Sequence, residues 1–388
     1  IGANHGADVE ELAHLTFGTY RRQESMMATR TRLSRAEQDA KLEALHQRLT
    51  EAVSGLVSGE DWKRAIEFAA RFRSRSFNNT LLIYVQHYAA FSKGRVPEPM
   101  PTYVAGFKQW LSMGRNVLKG QSGYQILAPV TARFASATPE VEDSWRRLAR
   151  GERPSWGETV RSKLVGLRPA YVFDISQTEG EPIPETTRPT LLQGQAPEGL
   201  WDGLAAQVTA RGFELRLVSN AQAIGGANGL TDYGSHEVSV RIDMDDAAQV
   251  KTLAHELAHV KLHGPDNNDA LMHRGIAEVE AESVALMVGA AHGLATDDYT
   301  VPYVASWASS VPGKTPVEVV QCTAERVRGA AVKILDQLET TKVGDGTPPW
   351  LDRDALAQAR STGRRSPGLG ADPGARSSSA ATVEAVAL

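Results

Sequence analysis

His255-Glu256-Leu257-Ala258-His259 is the stretch on which the reading of this chain turns. A helix brings residues four apart onto one face, so the two imidazoles point at a common position where a divalent ion can sit. Glu256 falls beside that position, placed to take a proton from a water on the ion instead of acting as a ligand. This is the hydrolytic zinc signature. Its flanks supply the setting. Val238 to Met244 (VSVRIDM) alternates apolar and polar residues as a half-buried strand does, and Asp246 with Gln249 reads as a capping box. Val250, Leu253, Ala254, Leu257 and Ala258 then form the stripe that buries the helix, which Gly264-Pro265 ends just after His263.

A catalytic zinc needs a third protein ligand and one open position. His263 follows His259 by four residues, but three ligands in a row along one helix cannot converge tetrahedrally, so it is expected to pack or to hydrogen-bond behind the site. A metzincin would place Gly and His at the third and sixth positions after His259, where this chain has Leu262 and Pro265. The better candidates lie in Glu278-Val279-Glu280-Ala281-Glu282. Glu280 has Ile276, Ala277, Ser283, Val284 and Met287 at helical spacing, whereas Glu278 and Glu282 neighbour each other. A carboxylate among apolar groups needs a counter-charge or a metal, which favours Glu280 as ligand and leaves Glu278 and Glu282 as its rivals.

With 388 residues the chain has room for two domains, and 41% hydrophobic residues is ordinary for a globular protein. A net charge of -4 excludes a globally basic nucleic-acid binder but not a local patch. The single cysteine, Cys322, allows no internal disulfide or cysteine-built zinc site, which suits a reducing, cytoplasmic setting. No membrane-length apolar run and no signal-peptide pattern is seen.

Charge is nevertheless unevenly spread. Between Glu60 and Gln125 ten Lys and Arg face four acidic residues, interleaved with Phe77, Tyr84, Tyr88, Phe91, Tyr103, Phe107, Trp110 and Tyr124. Phosphates need the cations and unstacked bases need the rings, so the pattern suits single-stranded nucleic acid; a basic surface over an aromatic core is the plain structural alternative. Helical periodicity runs from Ala36 to Val57 and again from Asp61, Tyr103 to Met113 reads as a short helix, and Gly114 to Pro129 reads as a turn and hairpin. Residues 200–211, 299–307 and 317–338 also read as helices, and 213–218 as a strand.

Three segments carry a family resemblance: Asn79 to Gln86 (NTLLIYVQ), Gly114 to Pro129 with its Lys119-Gly120 turn, and Val172 to Gly180 (VFDISQTEG). They resemble the N-terminal domain of ArdC-type antirestriction proteins, which implies binding of single-stranded DNA. The His255 helix and the Glu-rich helix after it are similar to the metallopeptidase-like half of that family and to ImmA/IrrE-type peptidases. The resemblance spans roughly residues 40–340. It lapses between Thr131 and Pro169, where a polar, basic stretch separates two strands and reads as a loop or an added contact surface.

The expected fold is α+β: an arm (1–40), an ArdC-like single-stranded-DNA-binding domain (41–180), a Pro- and Thr-rich linker (181–198), a zincin-like metallopeptidase domain with its HExxH helix (199–341) and a disordered tail (342–388). The expected chemistry is zinc on His255, His259 and Glu280, with Glu256 as general base toward a protein or peptide substrate. An extended substrate would pair with Val238 to Met244 as a sheet edge, and His292, Tyr299 and Tyr303 are candidates for oxyanion stabilisation. DNA contacts are expected from Arg71, Arg73, Arg75, Asn79, Lys108, Arg115, Lys119 and Tyr124. The implied role is antirestriction, protecting the DNA of mobile elements; the alternatives are a DNA-activated protease acting on repressors or crosslinked proteins, and a DNA shield with a structural metal.

Overall fold

The computed structural model describes residues 35–183, 194–264, 274–297, 299, 301, 302, 304–309 and 311–348. The expected arm up to residue 34, residues 184–193 of the linker and the tail beyond 348 lie outside them. The chain divides into two units, 1–134 with 161–351 and 135–160 with 352–388.

The larger unit opens with three helices whose starts are written in the sequence. Helix α1 (Arg35–Ser54) buries Leu45, Leu49 and Val53. Helix α2 (Gly59–Arg71) begins at Ser58, whose hydroxyl accepts from the Asp61 N–H while the Asp61 carboxylate accepts from the Ser58 N–H, a reciprocal cap. Helix α3 (Phe77–Phe91) is capped by Ser76 and contains the whole Asn79 to Gln86 run. Strand β1 (Val104–Gly106) and helix α4 (Phe107–Ser112) replace the single short helix expected there.

The expected hairpin over 114–129 does not form. Strand β2 (Arg115–Val117) and strand β3 (Tyr124–Ser136) enter different sheets. The smaller unit carries the two-residue strand β4 (Arg146–Arg147). Strand β5 (Thr159–Asp174) separates β1 from β3, and β6 (Thr178–Gly180) pairs antiparallel with β2. The Val172 to Gly180 segment latches this arrangement. Asp174 accepts from the Thr102 N–H at 2.8 Å, and the Gln177 amide donates to Gln121 Oε1 and to the Ser122 carbonyl. A turn held from a distant segment has no reason to close on itself as a hairpin.

The second half continues with α5 (Leu200–Thr209), strands β7 (Glu214–Val218), β8 (Gly229–Asp232) and β9 (Glu237–Arg241), then α6 (Asp246–Leu262). Helices α7 (Arg274–Ala291), α8 (Val304–Ala308) and α9 (Pro316–Leu335) complete it. The three strands run in the order β7-β9-β8, parallel then antiparallel. Strand β9, expected at a sheet edge, is therefore paired on both sides, and the edge is β8.

Helices from both halves share one core. The Trp62 indole of α2 donates to Ser283 Oγ of α7 at 2.8 Å, and its ring lies 5.1 Å from that of Trp307. Glu325 of α9 accepts from the Phe77 N–H, and Arg328 donates to the carbonyls of Arg73 and Arg75. Residues 342–348, expected at the start of the tail, are docked as well. Val343 donates to the Ala291 carbonyl, Val104 donates to the Gly346 carbonyl, and Gly346, at φ +70°, lies where a Cβ would meet the Phe72 ring. Small residues there make close backbone approach possible, so a composition that reads as disorder serves packing instead.

In the smaller unit the expected basic stretch is partly self-neutralised. Arg146 holds Glu158 through Nε and Nη2 at 2.9 and 2.8 Å, and Glu152 through Nη1 at 2.5 Å. Among the described residues no helix is long and apolar enough to cross a membrane.

Candidate metal centre

Helix α6 is fixed before any ligand is considered. Asp245, one residue earlier than the expected cap, accepts from the Ala248 N–H at 2.8 Å, while the Gln249 side chain donates back to the Met244 carbonyl. Leu253 and Leu257 are fully buried, each stabilising the helix position by about 1.5–3 kcal/mol. That leaves His255, Glu256 and His259 on a defined side.

The two imidazoles do converge. Their Nε2 atoms lie 3.0 Å apart, and Glu278 Oε2 stands 3.5 Å from the first and 3.8 Å from the second. Among the described residues His255, His259 and Glu278 are the acidic and imidazole groups close enough together to hold an ion. Donors about 2.0–2.1 Å from a tetrahedral ion stand about 3.3 Å apart, so the observed spacings fit a divalent cation.

The carboxylate at this point is Glu278's and not, as periodicity suggested, Glu280's. Glu280 is the most buried of the three, as expected, but a charge pair compensates it: it accepts from His263 Nε2 at 2.9 Å and pairs with Arg326 at 3.1 Å. Glu278 is exposed enough to face an open site, and the adjoining His255 and His259 hold its carboxyl well below the usual range. Glu282 takes the third role, accepting from His255 Nδ1 at 3.2 Å while paired with Lys251 at 3.1 Å.

These bonds allow one consistent placement of protons. His255 carries its proton on Nδ1, donated to Glu282, which leaves the Nε2 lone pair facing the site. His259 donates from Nδ1 to His263 Nδ1, and His263 then donates from Nε2 to Glu280. His263 thus lies behind the site, as its place on the helix implied. Without an ion, burial lowers the His255 pKa, but the Glu278 and Glu282 carboxylates outweigh it and hold the ring up, at about 9.

Glu256 is buried against β8. Its Oε2 accepts from the Thr231 hydroxyl at 2.7 Å, and a Cβ on Gly229 would lie 2.6 Å from its Oε1. Gly229, Thr231 and Tyr233 share one strand face, an alternation that the sequence shows but that has no meaning until β8 is placed against α6. The Tyr233 hydroxyl is buried without a hydrogen-bond partner among the described residues. Burial, with Glu256 and Glu278 adding to it, pushes its pKa up to about 12.

The expected oxyanion residues are placed otherwise. His292 is fully buried, with Nδ1 on the Val288 carbonyl at 2.8 Å and Nε2 on Thr340 Oγ1 at 2.7 Å. Tyr299 is buried and donates to the Ala285 carbonyl at 3.2 Å, with Lys251 over its ring. Tyr303 lies outside the described residues.

Of the residues expected to touch DNA, five are committed to internal hydrogen bonds. Asn79 donates to the Leu127 carbonyl and accepts from its N–H, joining α3 to β3. Arg115, buried, donates to Thr178 Oγ1 and to the carbonyls of Thr178, Gly180 and Glu181. Arg73 donates to the carbonyls of Ala70 and Val343, Arg75 donates to the carbonyl of Val104, and the buried Tyr124 hydroxyl bonds His87 Nδ1. Arg71, Lys108 and Lys119 are exposed. A guanidinium or amide beside free backbone carbonyls is captured by them, and local charge in a sequence cannot reveal those carbonyls.

A domain with this α/β arrangement, and with its cations used internally, belongs to a recognisable class: residues 40–173 match the family model of the N-terminal domain of anti-restriction factor ArdC. The chain is ArdC-like. An uncharacterized protein of Bacillus anthracis is 24% identical over 287 residues, covering 68% of this chain and 46% of that protein, so the chain spans about half the length of that relative. Among solved structures, the metal-free crystal structure of antirestriction ArdC from the R388 plasmid is similar at 19% identity and TM-score 0.42, over 67% of this chain and 84% of that one. The Mn(II)-bound structure of the plasmid protein gives 18% identity and TM-score 0.39, over 68% and 88%.

Proposed function

We propose that the chain is an antirestriction-type protein that binds single-stranded DNA and carries a zinc-dependent, zincin-like peptidase centre. The observation that carries the hydrolytic part is the convergence of His255 Nε2, His259 Nε2 and Glu278 beside a fourth group, Glu256, that is held by its own partner. Two imidazoles and one carboxylate suit zinc, which when bound supplies Lewis acidity and a more acidic water.

The chain's own residues supply the rest. Thr231 fixes one oxygen of Glu256, leaving the other to take the proton of an attacking water. Strand β8, as the sheet edge beside Glu256, offers unpaired backbone groups to an extended peptide. Tyr233, with its unpartnered hydroxyl, replaces His292 and Tyr299 as the donor toward a developing oxyanion. The DNA-binding part rests on the match of residues 40–173 to the ArdC N-terminal domain.

The test is Glu256→Gln in the full chain, assayed for zinc content, cleavage of a fluorescently labelled protein with and without single-stranded DNA, and protection of DNA from restriction. Retained zinc with cleavage lost by two orders of magnitude or more supports the hydrolase. Absence of any metal-dependent cleavage in the parent protein removes it and leaves DNA covered by occupancy alone.

A further inference from the structure

A cavity of about 400 Å³ opens where α1, the end of α3 and the turn before β3 meet. Its lining includes Arg48, Gln86, Lys93, Arg95, Gln121 and Ser122, and contains three cations with no acidic residue. Lys93 and Arg95 are exposed, and neither side chain has an acidic partner among the described residues. Arg48 is aimed by its neighbours: its Nη1 donates to Gln86 Oε1 at 3.1 Å and to Gln125 Oε1 at 3.4 Å. Gln86 is itself fixed, its amide bonding the N–H and carbonyl of Gln125. Such a set of three cations, one of them pre-oriented, selects an anion.

We propose that this cavity holds one nucleotide of a DNA single strand, its phosphate on Arg48, Lys93 and Arg95; the proposal rests on the single-stranded-DNA reading above and locates it. Size admits a nucleotide. What points to a strand instead of a free nucleotide is the aromatic surface beside the cavity. Tyr88, next to the lining residue Ala89, is 51% exposed, with the Tyr84 ring 6.3 Å away and inclined by 27°. Tyr171, 39% exposed, accepts from the same Gln125 amide that helps to hold Arg48. A free nucleotide would leave these faces unused, whereas the next bases of a strand can stack on them. None of the three cations was among those singled out by local motif, because Arg48 lies far from Lys93 and Arg95 in sequence.

The test uses the full chain and a labelled 15-residue oligothymidylate, titrated over a range of salt. Lys93→Gln with Arg95→Gln should weaken binding at least tenfold and lower the slope of log K against log salt by about 1.4, about 0.7 per lost phosphate contact. Tyr88→Ala should weaken it by about fivefold or more. Arg71→Gln with Lys108→Gln serves as the control and should change affinity less than the cavity pair. If the parent protein binds the oligonucleotide and the cavity variants bind equally well with an unchanged slope, the cavity assignment is wrong while the DNA reading stands. If the parent protein shows no such binding, the DNA reading itself falls. Thymidine monophosphate competing as strongly as the oligonucleotide would overturn the strand in favour of a free nucleotide.

Discussion

The Nδ1 atoms of His259 and His263 lie 2.9 Å apart, and that contact decides which nitrogen of each ring carries its proton. With Glu280 accepting from the far side of His263, the His259 Nε2 lone pair is left facing His255 and Glu278. Groups behind a ligand are typically worth tenfold to a hundredfold in metal affinity. His263→Ala should therefore weaken zinc or cobalt binding by about that factor, measured by competition with a chromogenic chelator. His263→Gln, whose amide can both accept and donate, should restore most of it; equal affinity in all three proteins would deny the relay.

Glu278 and Glu280 should separate cleanly. Glu278→Ala removes a half-exposed carboxylate from the imidazole pair, so bound metal should be lost with little change in the stability of the metal-free protein. Glu280→Ala leaves Arg326 and His263 without their buried partner and should cost about 3 kcal/mol of metal-free stability. Urea melts in chelator, paired with metal analysis, give both readings, and the opposite pattern would restore Glu280 as the ligand.

Gly229→Ala tests whether β8 positions the base. The added methyl would fall 2.6 Å from both Glu256 Oε1 and Thr252 Cγ2, in a strand whose place is set by pairing with β9. Metal content should stay as it was, while kcat/KM for peptide cleavage falls about a hundredfold, the scale of a misplacement near 1 Å. An unchanged rate would show that Glu256 is not the proton acceptor.

Acid should weaken the fold through His292. Burial, the leading cause, holds its pKa down at about 4, below the ordinary 6.5, despite the Val288 carbonyl acting in the other direction. The native state keeps the ring neutral while the unfolded chain takes up a proton below pH 6.5. The contribution is thus present above pH 6.5 and is lost as pH falls toward 4, amounting to about 3 kcal/mol. In chelator, His292→Gln should show a smaller drop in urea midpoint between pH 7 and 4 than the parent does; identical slopes would contradict this.

Asn79→Ala should behave as a structural variant. It removes both bonds to the Leu127 backbone and should lower stability by about 2 kcal/mol, yet leave oligonucleotide affinity of the folded protein within twofold. A large affinity loss at unchanged stability would return Asn79 to the DNA surface.

Much of the architecture was legible in the chain because local rules state it. Ser58 with Asp61 and Thr315 with Glu318 mark helix starts, and the apolar spacing of α1, α6 and α9 marks the faces they bury. The placement of His255, Glu256 and His259 is local too, since helical pitch alone brings four-apart residues together. The segments resembling ArdC fall in the stretch that matches its N-terminal domain.

What the sequence could not contain is which distant group answers each polar side chain. Glu280 was rightly read as the buried carboxylate, but whether burial means a metal or an arginine depends on Arg326, a residue 46 positions away that only the packing of α9 against α7 brings near. The same holds for Arg115 and Asn79, whose apparent availability ended at the carbonyls of β6 and β3. Periodicity reports burial one element at a time; pairing between elements, and with it the choice among three nearby glutamates and the free edge at β8, is decided when the chain closes on itself.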